Sequence, residues 1–227
     1  ERGIAVYGSK PVAATVAGAS FSSNIRTYTG SGAAAAGGLV NTAPQTIMAE
    51  WNWWGAADGP SGIYAGSGDA IAGNVDADPF MTPLNIFVST TGDDANSGMA
   101  PFLAKKTIQA GIDAVQAGGT VQVADGTYAE NLTIAGKSLS LIGQSRAGVH
   151  INAVSGAYGI DAQNGNFVFK NFSMKGLGAT GSYGIKVAGN TATAVVENVT
   201  VDDFFRTQLD FNGLNAVSLT GVTATNS

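Results

Sequence analysis

Within the run VDDFFRTQLD at 201–210, three carboxylates and a guanidinium fall close together: Asp202, Asp203, Arg206 and Asp210. Such a set could supply carboxylates and an arginine to a uronate. The competing reading is structural, since adjacent Asp residues just after a strand form a solvated turn and Arg206 can pair locally. Lys186 and Asp161 lie at equivalent places in YGIKVA and YGIDAQ, so they would stack and could form an ion pair. His150 is the single histidine and sits between Val149 and Ile151, which points it outward on a strand and leaves no second imidazole for a His-based metal site or dyad. Asp93 and Asp94 in TGDDANSG, and Asp76 and Asp78 in GNVDADP, could hold calcium, which takes clustered oxygen ligands. The same residue types also build turns, and no EF-hand spacing singles out a site, so metal content is left open. Trp51, Trp53 and Trp54 could present flat faces to sugar rings, or could close an apolar core end. No catalytic or cofactor-binding residue is assigned.

The elements that must position these groups follow from one repeated spacing. Phe167, Phe169, Phe172 and Met174 read apolar, gap of one, apolar, gap of two, apolar, gap of one, apolar. Ala194, Val196, Val199 and Val201 repeat it, and so do Val217, Leu219, Val222 and Ala224. Single gaps are strand alternation. The double gaps hold Lys170-Asn171, Glu197-Asn198 and Thr220-Gly221, whose second members tolerate a left-handed backbone. Each stretch therefore reads as two short strands joined at a bend, with one side facing inward throughout. The repeat distances, 27 and 23 residues, are those of a solenoid.

Composition agrees. The chain has 227 residues, 44% of them hydrophobic, with 32 Gly and only 12% charged, a mix suited to short strands and tight turns. The net charge of −5 without a basic cluster argues against nucleic acid as a partner. With no Cys there is no disulfide framework. No apolar run reaches membrane-spanning length, and no signal peptide opens the chain. The glycine-rich runs at 30–38 and 176–184 lack the Lys-Ser/Thr partner of a phosphate loop. Residue 1 falls straight into patterned sequence, so the chain reads as a piece of something longer or as a processed product.

Along the chain, Ala14, Val16, Ala19 and Phe21 carry the beat, with Ala17-Gly18 in the double gap, and Ile47, Ala49, Asn52 and Trp54 stay in phase. The Gly-, Asp- and Pro-rich run at 56–84 has no sustained period and reads as a terminating loop. A strand then restarts at 86–90. AKKTIQAGIDAVQAGG, at 104–119, is the one clear helix, centred near 106–116, with Ile108, Ile112 and Val115 on one face. Strands return from Thr120, with Val121, Val123, Leu132, Ile134, Leu139, Leu141, Val149 and Ile151 inward.

The run IFVSTTGDDANSG…PFLAKKTIQAGIDAVQAGGTVQVADGTYAENLTI…KSLSLIG resembles the opening segment of right-handed parallel β-helix proteins of the pectin-lyase-like superfold. NWWG…GP…GNVDADPF is similar to the closing segment of β-helices in large bacterial surface and secreted proteins. The resemblance implies an all-β solenoid with one short capping helix. It also implies an unusual order: 1–84 as the end of one β-helix with a Trp-rich closing segment and loop, and 86–227 as the cap and first coils of a second. Enzymes of this superfold gather acidic metal ligands and a base on one sheet, which makes a polysaccharide lyase or epimerase one expectation and a carbohydrate-binding module, resting on the tryptophans, another. The leading expectation is a non-enzymatic structural or adhesive segment, extracellular or at the cell surface. It would need no cofactor beyond possible calcium. Its partners would be its own kind, joined through open β-helix ends in cis or in trans, with a possible glycan surface.

Overall fold

The computed structural model describes residues 39–41, 44, 46–178, 180, 182–189 and 192–226, and the backbone of 4–6. The beat at Ala14–Phe21 and the glycine run at 30–38 lie outside the described residues. The chain divides into two compact units, 1–82 and 83–227. Every strand pairing among the described residues is parallel. A chain of such short strands can pair in parallel only by going once around between neighbours, which makes a β-solenoid.

The first unit contains β1 (Ile4–Val6), β2 (Leu39–Asn41), β3 (Ile47–Met48), β4 (Pro60–Gly62), β5 (Gly68–Gly73) and β6 (Val75–Asp76). Its sheet order is β1-β2-β5-β4, with β3 and β6 paired separately. The segment that reads as a terminating loop from its sequence is therefore another coil: Leu39 lies beside Ile71, and Ile47 beside Val75. Ile71, Val75 and Ala77 are buried. Small residues at the alternate positions hide this alternation, and Gly73 is required, since a Cβ there would collide with the Asn41 carbonyl oxygen.

The second unit begins with β7 (Asn85–Val88) and α1 (Ile108–Ala114), and α1 is shorter than its sequence pattern suggests. There follow β8 (Thr120–Val123), β9 (Gly126–Ala129), β10 (Leu132–Ala135), β11 (Leu139–Gly143), β12 (Val149–Asn152) and β13 (Tyr158–Gln163). The last coils use β14 (Asn166–Lys175), β15 (Tyr183–Ala188), β16 (Thr193–Asp202), β17 (Thr207–Asn212), β18 (Ala216–Thr220) and β19 (Thr223–Thr225). One sheet stacks β10-β13-β15-β17, and the other stacks β7, β8, β11, β14, β16 and β18, with β9, β12 and β19 continuing its rungs past the bend.

The repeated beat sets the register. Phe167, Phe169, Phe172 and Met174 lie beside Ala194, Val196, Val199 and Val201, all of them buried. Ala194, Val196 and Val201 in turn lie beside Val217, Leu219 and Ala224. At the bend, Asn171, Asn198 and Gly221 have φ of 59°, 54° and 62°. The Asn198 side-chain amide donates to Asn171 Oδ1 at 2.9 Å, so the bend carries its own rung-to-rung hydrogen bond. At the opposite end, α1 packs against β7, β8 and β10. Its Ile108 and Ile112, with Val115 just beyond it, are buried in the same core as Ile86, Val88 and Val121.

Candidate functional site

The outer face of the β10-β13-β15-β17 sheet gathers a set of interacting polar and aromatic groups. Parallel pairing places Thr133, Asp161, Lys186 and Asp210 in one row across four strands. Neighbouring rungs are about 4.8 Å apart, so like charges in a row would repel, and the alternation Asp, Lys, Asp avoids that. A second row begins with Tyr158, Tyr183 and Thr207. The two tyrosine rings stack, 5.3 Å between centroids and 27° between planes.

The cations settle on these rings. Lys186 Nζ lies 4.6 Å from the Tyr158 ring centroid and donates to its hydroxyl oxygen at 3.4 Å. The Arg206 guanidinium carbon lies 5.2 Å from the Tyr183 centroid. Asp161 and Lys186 are stacked as expected, yet the lysine's close contact is with Tyr158. The Gln163 amide nitrogen donates to both Asp161 oxygens, at 3.1 and 3.0 Å. Partial desolvation pushes the Lys186 pKa down, but the Tyr158 hydroxyl and the Asp161 and Asp210 carboxylates outweigh it and hold the pKa above the usual lysine value. Lys186 is thus a fixed positive charge at neutral pH, poorly suited to act as a general base.

The set Asp202, Asp203, Arg206 and Asp210 does not act as one cluster. Asp202 Oδ1 accepts from the Thr225 hydroxyl at 2.7 Å. Asp203 has φ of 66° and lies 3.8 Å from Lys175 Nζ. Arg206 lies over Tyr183, and Asp210 stands in the row beside Lys186. Asp202 ends β16 while Asp210 lies within β17, so consecutive strands of the chain belong to different sheets.

The acidic turns serve the backbone. Asp94 accepts from the amides of Lys106 and Thr107, each at 2.8 Å, and from the Thr107 hydroxyl at 3.0 Å. Asp93 Oδ1 accepts from the Ala95 amide at 2.9 Å. Glu130, which the sequence reading passed over, reaches from the next coil to accept from the first amides of α1, those of Ile108 and Gln109, at 2.8 and 3.0 Å. In the first unit Asp76 Oδ1 accepts from the Asp78 amide at 3.2 Å. Among the described residues no three His, Cys, Asp or Glu side chains converge as a metal site.

The three tryptophans part company. Trp54 is fully buried with Leu39, Ile47, Ala49 and Ile71, whereas Trp51 and Trp53 are half-buried. A sugar platform of all three is excluded, because the Trp54 ring has no face open to a ligand. His150 is half-exposed on its strand, in register with Thr127 and Ser173. A recess of about 310 Å³ lies elsewhere on the second unit, lined by Phe87, Pro101, Gln122, Val123 and Gln144 among others. It holds no acid–base pair.

The tyrosine stack and the Arg206 contact escaped the sequence reading, although the signal was present. YGI opens two successive coils, and in-register coils must superpose their tyrosines. The fold defines the molecule as a parallel β-solenoid protein with one short α-helix among the described residues. No protein family, curated protein or solved structure matches this chain.

Proposed function

We propose that this chain is a non-enzymatic structural segment of a large extracellular or surface-exposed protein of the adhesive or fibre-forming kind, built from pectin-lyase-like coils. One observation carries the reading: on the β14–β16 face the outward polar side chains are matched along the stack, each with a partner one coil away. Lys170 pairs with Glu197 at 2.5 Å, Asn198 with Asn171, and Thr193 with Asn166, each partner one coil away. On the other sheet Arg206 and Lys186 lie on the stacked Tyr183 and Tyr158 rings, where Lys186 is held protonated between two carboxylates and is poorly placed to take a proton, while Asp203 sits apart beside Lys175. Ladders of this kind stiffen an elongated stack and present Thr, Ser and Asn to solvent.

The competing reading is a polysaccharide lyase or epimerase, and activity separates the two. The purified chain, incubated with uronate polymers with and without calcium, is expected to release no unsaturated sugar ends. Release that disappears in Arg206→Ala would overturn the scaffold reading in favour of the enzyme.

A further inference from the structure

Among the described residues β10 is the outer strand of its sheet, paired on one side only, with β13. Parallel pairing places Leu132 beside Ile160 and Ile134 beside Ala162, and strand alternation turns the peptide groups of Thr133 the other way. A bare strand edge of this kind is a template for another chain. Here a side chain occupies it. The Gln109 amide oxygen accepts from the Thr133 N–H at 2.9 Å, and the amide nitrogen donates to the Thr133 carbonyl at 3.1 Å. The same nitrogen donates to Asp113 Oδ1 at 2.9 Å. A carboxylate only accepts, so Asp113 fixes which way the amide faces.

The helix α1 therefore meets two needs. Ile108 and Ile112 close the apolar core, which any helix with that face could do. An apolar side chain in place of Gln109 would leave a donor and an acceptor of Thr133 unpaired beneath the helix. Glutamine offers an acceptor and a donor in one plane, as a peptide group does, whereas lysine or arginine only donates and an ionised glutamate only accepts. The coil beneath also grips the helix at its two ends. Glu130 accepts from the amides of Ile108 and Gln109, and Lys137 Nζ donates to the carbonyls of Asp113 and Val115 at 3.3 and 2.9 Å. Each charge suits the helix end it meets. A helix of 7 residues has little stability of its own, so these contacts and the apolar face hold it in place.

We propose that Gln109 is a surrogate strand: its amide fills the peptide position through which β10 would otherwise pair with β10 of a second copy of this chain, so that α1 masks an edge for strand addition. An identical edge is the partner because two copies of β10 placed antiparallel about Thr133 satisfy both of its peptide groups at once. Thr133 of each copy then gives one hydrogen bond and takes one, and the contact is isologous. The inference holds for a scaffold and for an enzyme alike.

The chain has no cysteine, so a single introduced one reports on this edge, and the Thr133 side chain is exposed. In antiparallel pairing about Thr133 the two Thr133 Cα atoms lie about 5.5 Å apart. That is within the roughly 4.4–6.8 Å span of a disulfide. Under oxidation the Thr133→Cys chain is expected to stay largely monomeric with Gln109 in place. Combined with Gln109→Met, it is expected to give about tenfold more disulfide dimer, the factor one hydrogen bond is worth. In the chain carrying Gln109→Met alone, amide exchange at Thr133 should quicken roughly tenfold, while that at Ile134, which points to β13, keeps its rate. If Gln109→Met loses the circular dichroism of a folded β protein, Gln109→Ala, a good helix former, takes its place in both measurements. The proposal is overturned if Thr133 exchange is unchanged in the folded variant. It is equally overturned if the Thr133→Cys chain dimerises as readily with Gln109 in place as after its replacement. Faster exchange without more dimer overturns it too, since Gln109 would then satisfy the strand without guarding its edge.

Discussion

The two ends of the second unit are made of similar residues and treated differently. At the β7 end, Ile86 and Val88 are buried because α1 lays Ile108 and Ile112 on them. At the β18–β19 rung, Val217 and Leu219 repeat the apolar beat of the buried rungs, and no described residue covers them. A single coil places its apolar side chains in a row, but burial comes from the neighbour. A solenoid end therefore needs either a cap or another coil.

The largest effect should come from putting the same charge at both ends. Ile112→Asp, like Phe172→Asp in the middle of the stack, leaves a carboxylate among apolar atoms and should cost more than about 4 kcal/mol, preventing a cooperative melt. Leu219→Asp faces solvent in the isolated chain and should cost about 1 kcal/mol or less. Equal losses of melting midpoint at the two positions would break the comparison.

The bend column gives a finer contrast. Asn198→Ala must hold a left-handed backbone and also loses the hydrogen bond to Asn171, so it should cost about 1–2 kcal/mol. Gly221→Ala at the β18–β19 rung meets nothing closer than 3.7 Å and should show only the backbone penalty, about 1 kcal/mol. Denaturant midpoints of the two variants measure the difference.

The capped end should also be acid-sensitive. Partial desolvation pushes the Asp94 pKa up, but the Thr107 and Lys106 amides, the Thr107 hydroxyl and the Lys105 charge hold it below the ordinary carboxylate value. A depressed carboxylate pKa contributes stability that is fully present above the unfolded value, about pH 4, and is lost as pH falls through the folded value. Asp94→Asn should therefore lower the melting temperature at neutral pH and flatten its fall in acid. Parallel melting curves against pH for the two proteins would refute the capping role.

The smallest effect belongs to the half-exposed pair Lys170–Glu197. Glu197→Gln should cost roughly 0.2–1 kcal/mol and should cost still less in high salt. A larger loss would mean that the outward ladders contribute more to stability than surface pairs usually do.

Much of this architecture is legible in spacing alone. The apolar beat at 167–174, 194–201 and 217–224 names the inward side chains, and the Asn or Gly in each double gap names the bend. These are local facts, settled by strand alternation and by which residues accept positive φ. The strands within 60–76 were hidden because Gly and Ala occupy positions where a larger apolar residue would have announced the period. The helix is shorter than its pattern because Thr107 already caps it and Val115 has left the helical conformation, with φ of −67° and ψ of 138°.

What lies between coils had to wait for the fold. The sequence places Asp202, Asp203, Arg206 and Asp210 within one short run, but solenoid winding sends its two ends to different sheets. It separates Lys175 from Asp203, and Tyr183 from Arg206, by more than 20 residues, yet the same winding brings each pair together. The sequence by itself determined which side chains face in and where the chain bends, because those depend on nearest neighbours along the backbone. Only the tertiary structure decided which outward groups meet, because a partner one rung away in space is a full coil away in the chain.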